Sequence, residues 1–279
     1  MGRIIVEEAE KILDKEFKVL DKGFVRLVDY FGGDDRIVQA ARVSYGDGTK
    51  TVRENEMLID YLMAHDHTSP FEHVVFEFHC KMPVFVARQW IRHRTGRVNE
   101  VSGRYSVMRN EFYTPPSEQV KLQSMDNKQG RGDIASEDLQ EEFSELLSLE
   151  RAVVGENYRR FIEMGVAKEL ARIDLPLSVY TEWYWQMDLH NLLNFLRLRM
   201  DSHAQWEIRQ YANVIGEIVK TVTPMAWKAF DRHVLRGTKF SAEELDALKS
   251  MVDGVAIPDC IKGQRLIDFK NKIGDNGHE

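Results

Sequence analysis

Residues Phe71 to Met82 alternate. Val74, Phe76, Phe78, Cys80 and Met82 fall on one side of an extended chain, and His73, Val75, Glu77, His79 and Lys81 on the other. A period of two over this length marks a strand with one face in a core and one facing polar surroundings. The chain must therefore build a sheet with two unlike faces. Pro83 then suits the first turn of a helix, and the spacing predicts one running to about Arg94. Its last turn would hold Arg92, His93 and Arg94, where cations favour the helix dipole. Arg88 with Arg92, and Gln89 with His93, would share faces at i,i+4 spacing.

Weaker signals fill in the rest. The first twenty residues read as a charged helix, an extension before the main fold. Gly23 to Tyr30 reads as a strand ending at Gly32-Gly33, Arg36 to Val43 as a helix, Ser44 to Gly48 as a loop, and Glu54 to Ala64 as a helix. Gly, Asn, Gln and Ser crowd Pro115 to Ala135, which predicts a mobile loop around Gly130-Arg131-Gly132. Long helices are expected from Ser136 to Met164, Ser178 to Met200 and Ser202 to Val222. After Gly237 apolar residues are sparse until Leu266. The pattern predicts one compact α+β domain over 21–237, an antiparallel-rich sheet covered by helices, with an N-terminal extension over 1–20 and a peripheral C-terminal extension over 238–279.

The net charge of −7 argues against a general nucleic-acid or anionic-membrane binder. Two cysteines, Cys80 and Cys260, make neither a disulfide framework nor a zinc pattern and fit a reducing compartment. The N-terminus turns acidic before any long apolar run, so no secretory signal is expected, and no run reaches membrane-spanning length. The expected location is cytoplasmic.

One segment, Arg92 to Tyr105, packs four arginines with a histidine, an amide and a carboxylate. No core could satisfy so many polar groups. Guanidinium forks suit phosphate oxygens, while Asn99 and Glu100 can read a base or sugar. No Walker A or Rossmann glycine motif is present, so a nucleotide would be held by arginines and helix ends. Five of the nine histidines lie between His65 and His93, but their spacing matches no zinc signature and no metal site is expected. His67, in a loop before Ser69-Pro70, could lie against a planar ring. His190, Asn194, Arg197 and Asp201 form a polar stripe, with Asp188 and Arg199 off it, which suggests a helix bordering a site or a subunit interface. Cys80 sits on the apolar strand face and reads as a buried small hydrophobe.

Arg92-His93-Arg94, seven residues and then Ser102, together with Asn99, Glu100, Arg104 and Tyr105, resemble the signature of the flavin-dependent thymidylate synthases, also called thymidylate synthase complementing proteins. Ala41 to Ser44, Ser69 to His73, Ala87 to Trp90, Ala171-Arg172, Leu175 to Leu177 and Leu198 to Glu207 are similar to the family in the same order. The likeness spans roughly Asp21 to Gly237. The Ser117 to Ala135 loop lies outside it.

The resemblance implies an enzyme that makes dTMP from dUMP, with methylenetetrahydrofolate as one-carbon donor, FAD as hydride carrier and NADPH as reductant. It implies a homotetramer with active sites between subunits and a mechanism without a cysteine nucleophile. By the same resemblance Arg199 is catalytic, holding the pyrimidine and stabilising negative charge on it. The dUMP positions map to Gln89, Arg92, Glu100, Ser102, Gly103, Arg104, Arg172 and Arg199. The FAD positions map to Ser44, His67, Ser69, Arg92, His93, Arg94, Glu100, Asp188, His190 and Asn194. Some members carry Asn and Arg where this chain has Asp188 and His190, and Thr in place of Ser69. An RNA- or single-strand-DNA-binding protein and a histidine-rich metal hydrolase are the competing readings of the arginine loop and the histidines, but neither explains the distant matches.

Overall fold

In a computed structural model of the chain, the described residues are 3–43, 52–125, 129–240 and Gly263. In chain order they form α1 (Glu7–Glu10), β1 (Glu16–Val19), β2 (Gly23–Phe31), α2 (Asp34–Arg42), α3 (Val52–Ala64), β3 (Val75–Pro83), α4 (Val84–Trp90) and β4 (Arg97–Glu100). They continue as β5 (Lys121–Gln123), β6 (Arg131–Ile134), α5 (Glu137–Glu163), α6 (Lys168–Ala171), β7 (Tyr180–Asp188), α7 (Leu189–Arg199), α8 (Trp206–Val222) and α9 (Pro224–Phe230). A 3₁₀ segment, Ser69–His73, precedes β3. One compact unit runs from Met1 to Leu235.

The main sheet has five strands in the order β1-β2-β3-β7-β4, and every pairing is antiparallel. The α+β architecture with an antiparallel sheet is thus as the sequence predicts. Val25, Leu27, Phe76, Phe78, Cys80, Met82, Trp183, Trp185 and Met187 are all buried on one face, and α4, α7 and α8 pack there. Trp90 stands at the middle of this core. It meets Trp183 and Trp185 nearly edge-on, at 5.5 Å and 5.1 Å between ring centres, and stacks on Phe195 at 5.2 Å. Burying side chains of this size contributes about 1.5–3 kcal/mol each. The other face is polar. His79 stacks on Tyr184 at 4.8 Å, contacts Arg26 Nη2 through Nδ1 at 3.0 Å and reaches Glu182 through Nε2 at 3.2 Å.

Several local expectations are overturned. The first twenty residues are not one charged helix. Only Glu7–Glu10 is helical, and Glu16–Val19 forms β1, where Phe17 and Val19 alternate with Glu16 and Lys18 along the sheet edge. Phe71–His73 belongs to the 3₁₀ segment, so β3 begins at Val75. The helix after Pro83 stops at Trp90, and Arg92, His93 and Arg94 lie in the turns beyond it. The Arg97–Glu100 part of the arginine segment is an edge strand paired to β7, where most side chains reach solvent while the inner backbone groups join the ladder. The expected loop around Gly130-Arg131-Gly132 is a hairpin of β5 and β6.

The largest correction concerns Ser178 to Met200. Its first half is strand β7, with Thr181, Trp183, Trp185 and Met187 buried and Glu182, Tyr184 and Gln186 facing out. Alternating large aromatic residues favour a strand between two others. The switch to helix comes at Asp188, whose side chain accepts hydrogen bonds from Asn191 N at 3.0 Å and Asn191 Nδ2 at 2.8 Å, capping α7.

Candidate functional site

Strand β3 delivers α4, and β7 delivers α7, so the ends of these two helices come together over the sheet. There Arg199, at the end of α7, donates from Nε to His93 Nε2 at 3.0 Å and from Nη2 to the Gln89 carbonyl oxygen at 3.4 Å. His93 is also edge-on to buried Phe195, 4.9 Å between ring centres. Burial, and then the Arg199 charge, push the His93 imidazole down to about 4. Burial likewise lowers the Arg199 guanidinium from its ordinary value. Arg199 has no carboxylate partner among the described residues. The result is a half-buried cation beside a neutral imidazole, a fixed positive charge in a partly dry place. Such a charge is suited to stabilising an anion that develops on a bound ring.

The Gln89 side chain donates to Gln205 Oε1. Gln205 Nε2 donates to Glu207 Oε2 at 2.9 Å. Glu207 is buried in the first turn of α8 and also accepts from Arg131 Nη2 on both oxygens, at 2.6 and 2.8 Å, and from the Tyr113 hydroxyl at 3.1 Å. Burial first, and Glu207 second, push the Tyr113 phenol up.

A second group of expected nucleotide residues lines a cavity of about 410 Å³. Glu100, Gly103 and Arg172 form its polar wall, with Val84, Leu175, Pro176 and Val179 as the apolar one. Thr181 Oγ1 donates to Glu100 Oε1 at 2.6 Å. Gly103 leaves room for the Arg172 side chain: a Cβ there would lie 2.9 Å from Arg172 Cδ and 3.0 Å from its Nη1, so Arg172 would have to move. Ser102 Oγ accepts from Arg104 N at 3.3 Å, and Arg104 Nε donates to Glu169 Oε2 at 2.9 Å. Gln89, His93 and Arg199 do not line this cavity. The chain therefore presents two polar clusters, one around Arg199 and one around Arg172.

The expected flavin positions fall in several places: His93 in the Arg199 cluster, Glu100 in the cavity wall, and others on and around α7. The Ser69–His73 segment packs on α7, and His190 and Asn194 sit one turn apart on that helix. Both Asp188 oxygens are taken by its cap, so Asp188 holds the start of α7. Arg92 and Arg94 are exposed and have no ion-pair partner among the described residues. His67 is exposed, 5.8 Å from the ring of Tyr61 and edge-on to it. Ser44 lies outside the described residues. The exposed guanidiniums of Arg92 and Arg94, without ion-pair partners among the described residues, fit a diphosphate-bearing cofactor such as FAD. Among the described residues, no group of three or more His, Cys, Asp or Glu could hold a metal ion, and no helix is long and apolar enough to cross a membrane.

Three functional candidates escaped the sequence reading: Arg131, Gln205 and Glu207. Arg131 was hidden because Gly on either side predicts a loop. Gln205 and Glu207 lie within the dense polar run that starts at Arg199, but nothing in the linear pattern joins Glu207 to Arg131.

Comparison with known proteins is consistent along most of the chain. A profile of the family described as "Thymidylate synthase complementing protein" matches residues 26–225. A flavin-dependent thymidylate synthase of Treponema denticola is 59% identical over 262 residues, covering 94% of this chain and 98% of the relative. One from Thermus thermophilus is 59% identical over 235 residues, covering 84% of this chain and 85% of that one. Among solved structures, a UMP/dUMP methylase from Streptomyces cacaoi bound with 5-Br dUMP superimposes with a TM-score of 0.72 at 30% identity, covering 80% of this chain and all of the methylase. Likeness of sequence over nearly the whole length, and of fold to a solved relative, makes this chain an enzyme that belongs to the thymidylate synthase complementing protein family.

Proposed function

We propose that the protein converts dUMP to dTMP by reductive methylation, with methylenetetrahydrofolate as one-carbon donor and NADPH as reductant. The observation that carries this reading is the Arg199 guanidinium, half-buried, without a carboxylate partner and bonded to a neutral His93. Carbon 5 of uracil is a poor nucleophile until negative charge builds on the ring. A desolvated cation placed against the pyrimidine stabilises that charge. Cys80 cannot serve as a nucleophile adding to the ring, because it is fully buried on the core face and burial pushes its thiol up. Cys260 lies outside the described residues.

In this reading Gln89, Arg92 and Arg199 take the nucleotide from one side, and Glu100, Ser102, Gly103, Arg104 and Arg172 from the other. The separation of these residues into two clusters supports a homotetramer in which the Arg199 cluster of one protomer faces the Arg172 cavity of another. Arg92 and Arg94 would hold the FAD diphosphate, with His93, Glu100, His190, Asn194 and Ser69 around it and His67 near the ring. FAD, when bound and reduced by NADPH, supplies the hydride, which no side chain can. The expected compartment is the cytoplasm.

The test is dTMP formation by purified protein given dUMP, methylenetetrahydrofolate, FAD and NADPH, each omitted in turn. Product that requires all four, allowing for FAD that copurifies, supports the proposal. No product from folded, flavin-loaded protein would overturn it.

A further inference from the structure

We infer that Glu207 is a positioning residue that dictates which way round the Gln89 side-chain amide faces, and that Arg131 of the β5–β6 hairpin holds Glu207 in that role. The inference rests on the reading of Gln89 as a nucleotide contact. It adds two residues and a hairpin to which no role has been given.

A carboxylate only accepts. Glu207 accepts from Arg131 on both oxygens, from Tyr113 and from Gln205, so every neighbour must turn a donor toward it. Gln205 therefore points its NH2 at Glu207 and its carbonyl oxygen the other way, toward Gln89. Gln89 can meet that oxygen only with its own NH2. The Gln89 Oε1 is then turned away from Gln205 and left for the nucleotide, in one orientation rather than two. An isolated glutamine amide has two nearly equivalent orientations, and a buried charge two residues along the relay removes that choice. The main chain of the same residue accepts from Arg199 at 3.4 Å, so Gln89 is held at both ends of its side chain and backbone.

Arg131 gives the hairpin a purpose. Glu207 is almost wholly buried, and a buried carboxylate without a cation is costly. The hairpin brings that cation in, along a strand that makes no contact with the main sheet's ladder. Losing the hairpin contact would release the relay without touching any residue of the nucleotide site.

The experiment compares Glu207→Gln, Arg131→Met and Arg131→Lys with the wild-type holoenzyme. It reads the Kd and KM for dUMP, kcat, Tm, and the side-chain NH2 signal of Gln89 in 15N-glutamine-labelled protein, identified by its absence in Gln89→Glu. A glutamine at 207 can donate or accept, so the relay loses its direction. Glu207→Gln and Arg131→Met are expected to shift the Gln89 signal and raise Kd and KM for dUMP about tenfold, the scale of one well-made hydrogen bond, with the loss in KM rather than kcat. Arg131→Lys keeps the cation and is expected to stay within about twofold of wild type. An unchanged Gln89 signal in Glu207→Gln and Arg131→Met overturns the inference, as does a fall in Tm and kcat together with KM unmoved. A wild-type protein that does not bind dUMP sinks the substrate reading instead, and the Gln89 signal still decides the inference.

Discussion

Arg199 donates its Nε–H to Nε2 of His93 at 3.0 Å. A guanidinium only donates, so that imidazole nitrogen must be unprotonated, and any proton on the ring sits on Nδ1. Protonating His93 would put two cations face to face in a half-buried place. This is why burial and the Arg199 charge hold His93 at about 4.

A pH dependence follows from that pair. The folded His93 lies near 4, below the ordinary value of 6.5, so the unfolded chain binds its proton more readily between those values. The associated stability is fully present above about pH 6.5 and is lost as pH falls toward 4. His93→Asn should therefore lose less stability than wild type between about pH 7 and pH 4.5, as read by urea unfolding at both. Equal losses in the two proteins would show that His93 is not the titrating group.

Replacing the cation itself should act on chemistry rather than on folding. Arg199→Ala is expected to lower the rate of dTMP formation by about 10²–10³-fold, the range seen when one electrostatic stabiliser is removed. Flavin absorbance of the purified protein should remain. Turnover near wild type would remove Arg199 from the catalytic role.

Gly103 reads out the second cluster. An alanine Cβ there would lie 2.9 Å from Arg172 Cδ, so the Arg172 side chain must swing aside. Gly103→Ala should raise the KM for dUMP roughly tenfold while Tm stays close to wild type, because the displaced group is the flexible end of a side chain. A variant with unchanged KM would show that Arg172 in its present position does not matter to the nucleotide.

The aromatic core offers a stability test. Trp90→Ala should cost about 3–5 kcal/mol, measured by chemical denaturation. Trp90→Phe should cost less, since the buried Trp90 Nε1 has no hydrogen-bond partner to lose. A small cost for Trp90→Ala would mean the core closes around the gap.

Cys80 separates packing from chemistry. Cys80→Ala removes a buried sulfur from the core face of β3 and is expected to lower stability modestly while turnover persists. Loss of turnover in a folded, flavin-containing variant would contradict a mechanism without a cysteine.

Much of the fold was legible where a single period runs long enough. The alternation from Val74 to Met82 identified the central strand and its buried face, and the periodicity of Glu137–Glu163 and of Glu54 onward identified helices. The reading failed where the period changes without a Gly or Pro to mark it. From Tyr180 the chain is a strand, and from Leu189 a helix, and only the Asp188 cap divides them.

By itself the sequence offered the arginine segment and the polar stripe of α7 as groups suited to a phosphate-bearing ligand, and the family resemblance added Gln89, Arg172 and Arg199 as expected nucleotide contacts. Their chemistry is a property of side-chain type, and runs of them in order identify the family without a fold. Tertiary structure decided which of them act on one another. Arg199 meets His93 across 106 positions, and Arg131 meets Glu207 across 76. Such pairings arise only when the fold brings distant parts of the chain side by side, where burial keeps the His93 imidazole neutral next to Arg199 and Arg131 pairs the buried Glu207 carboxylate. No local pattern encodes that, because the energy of each pair depends on water removed by residues far away in the chain.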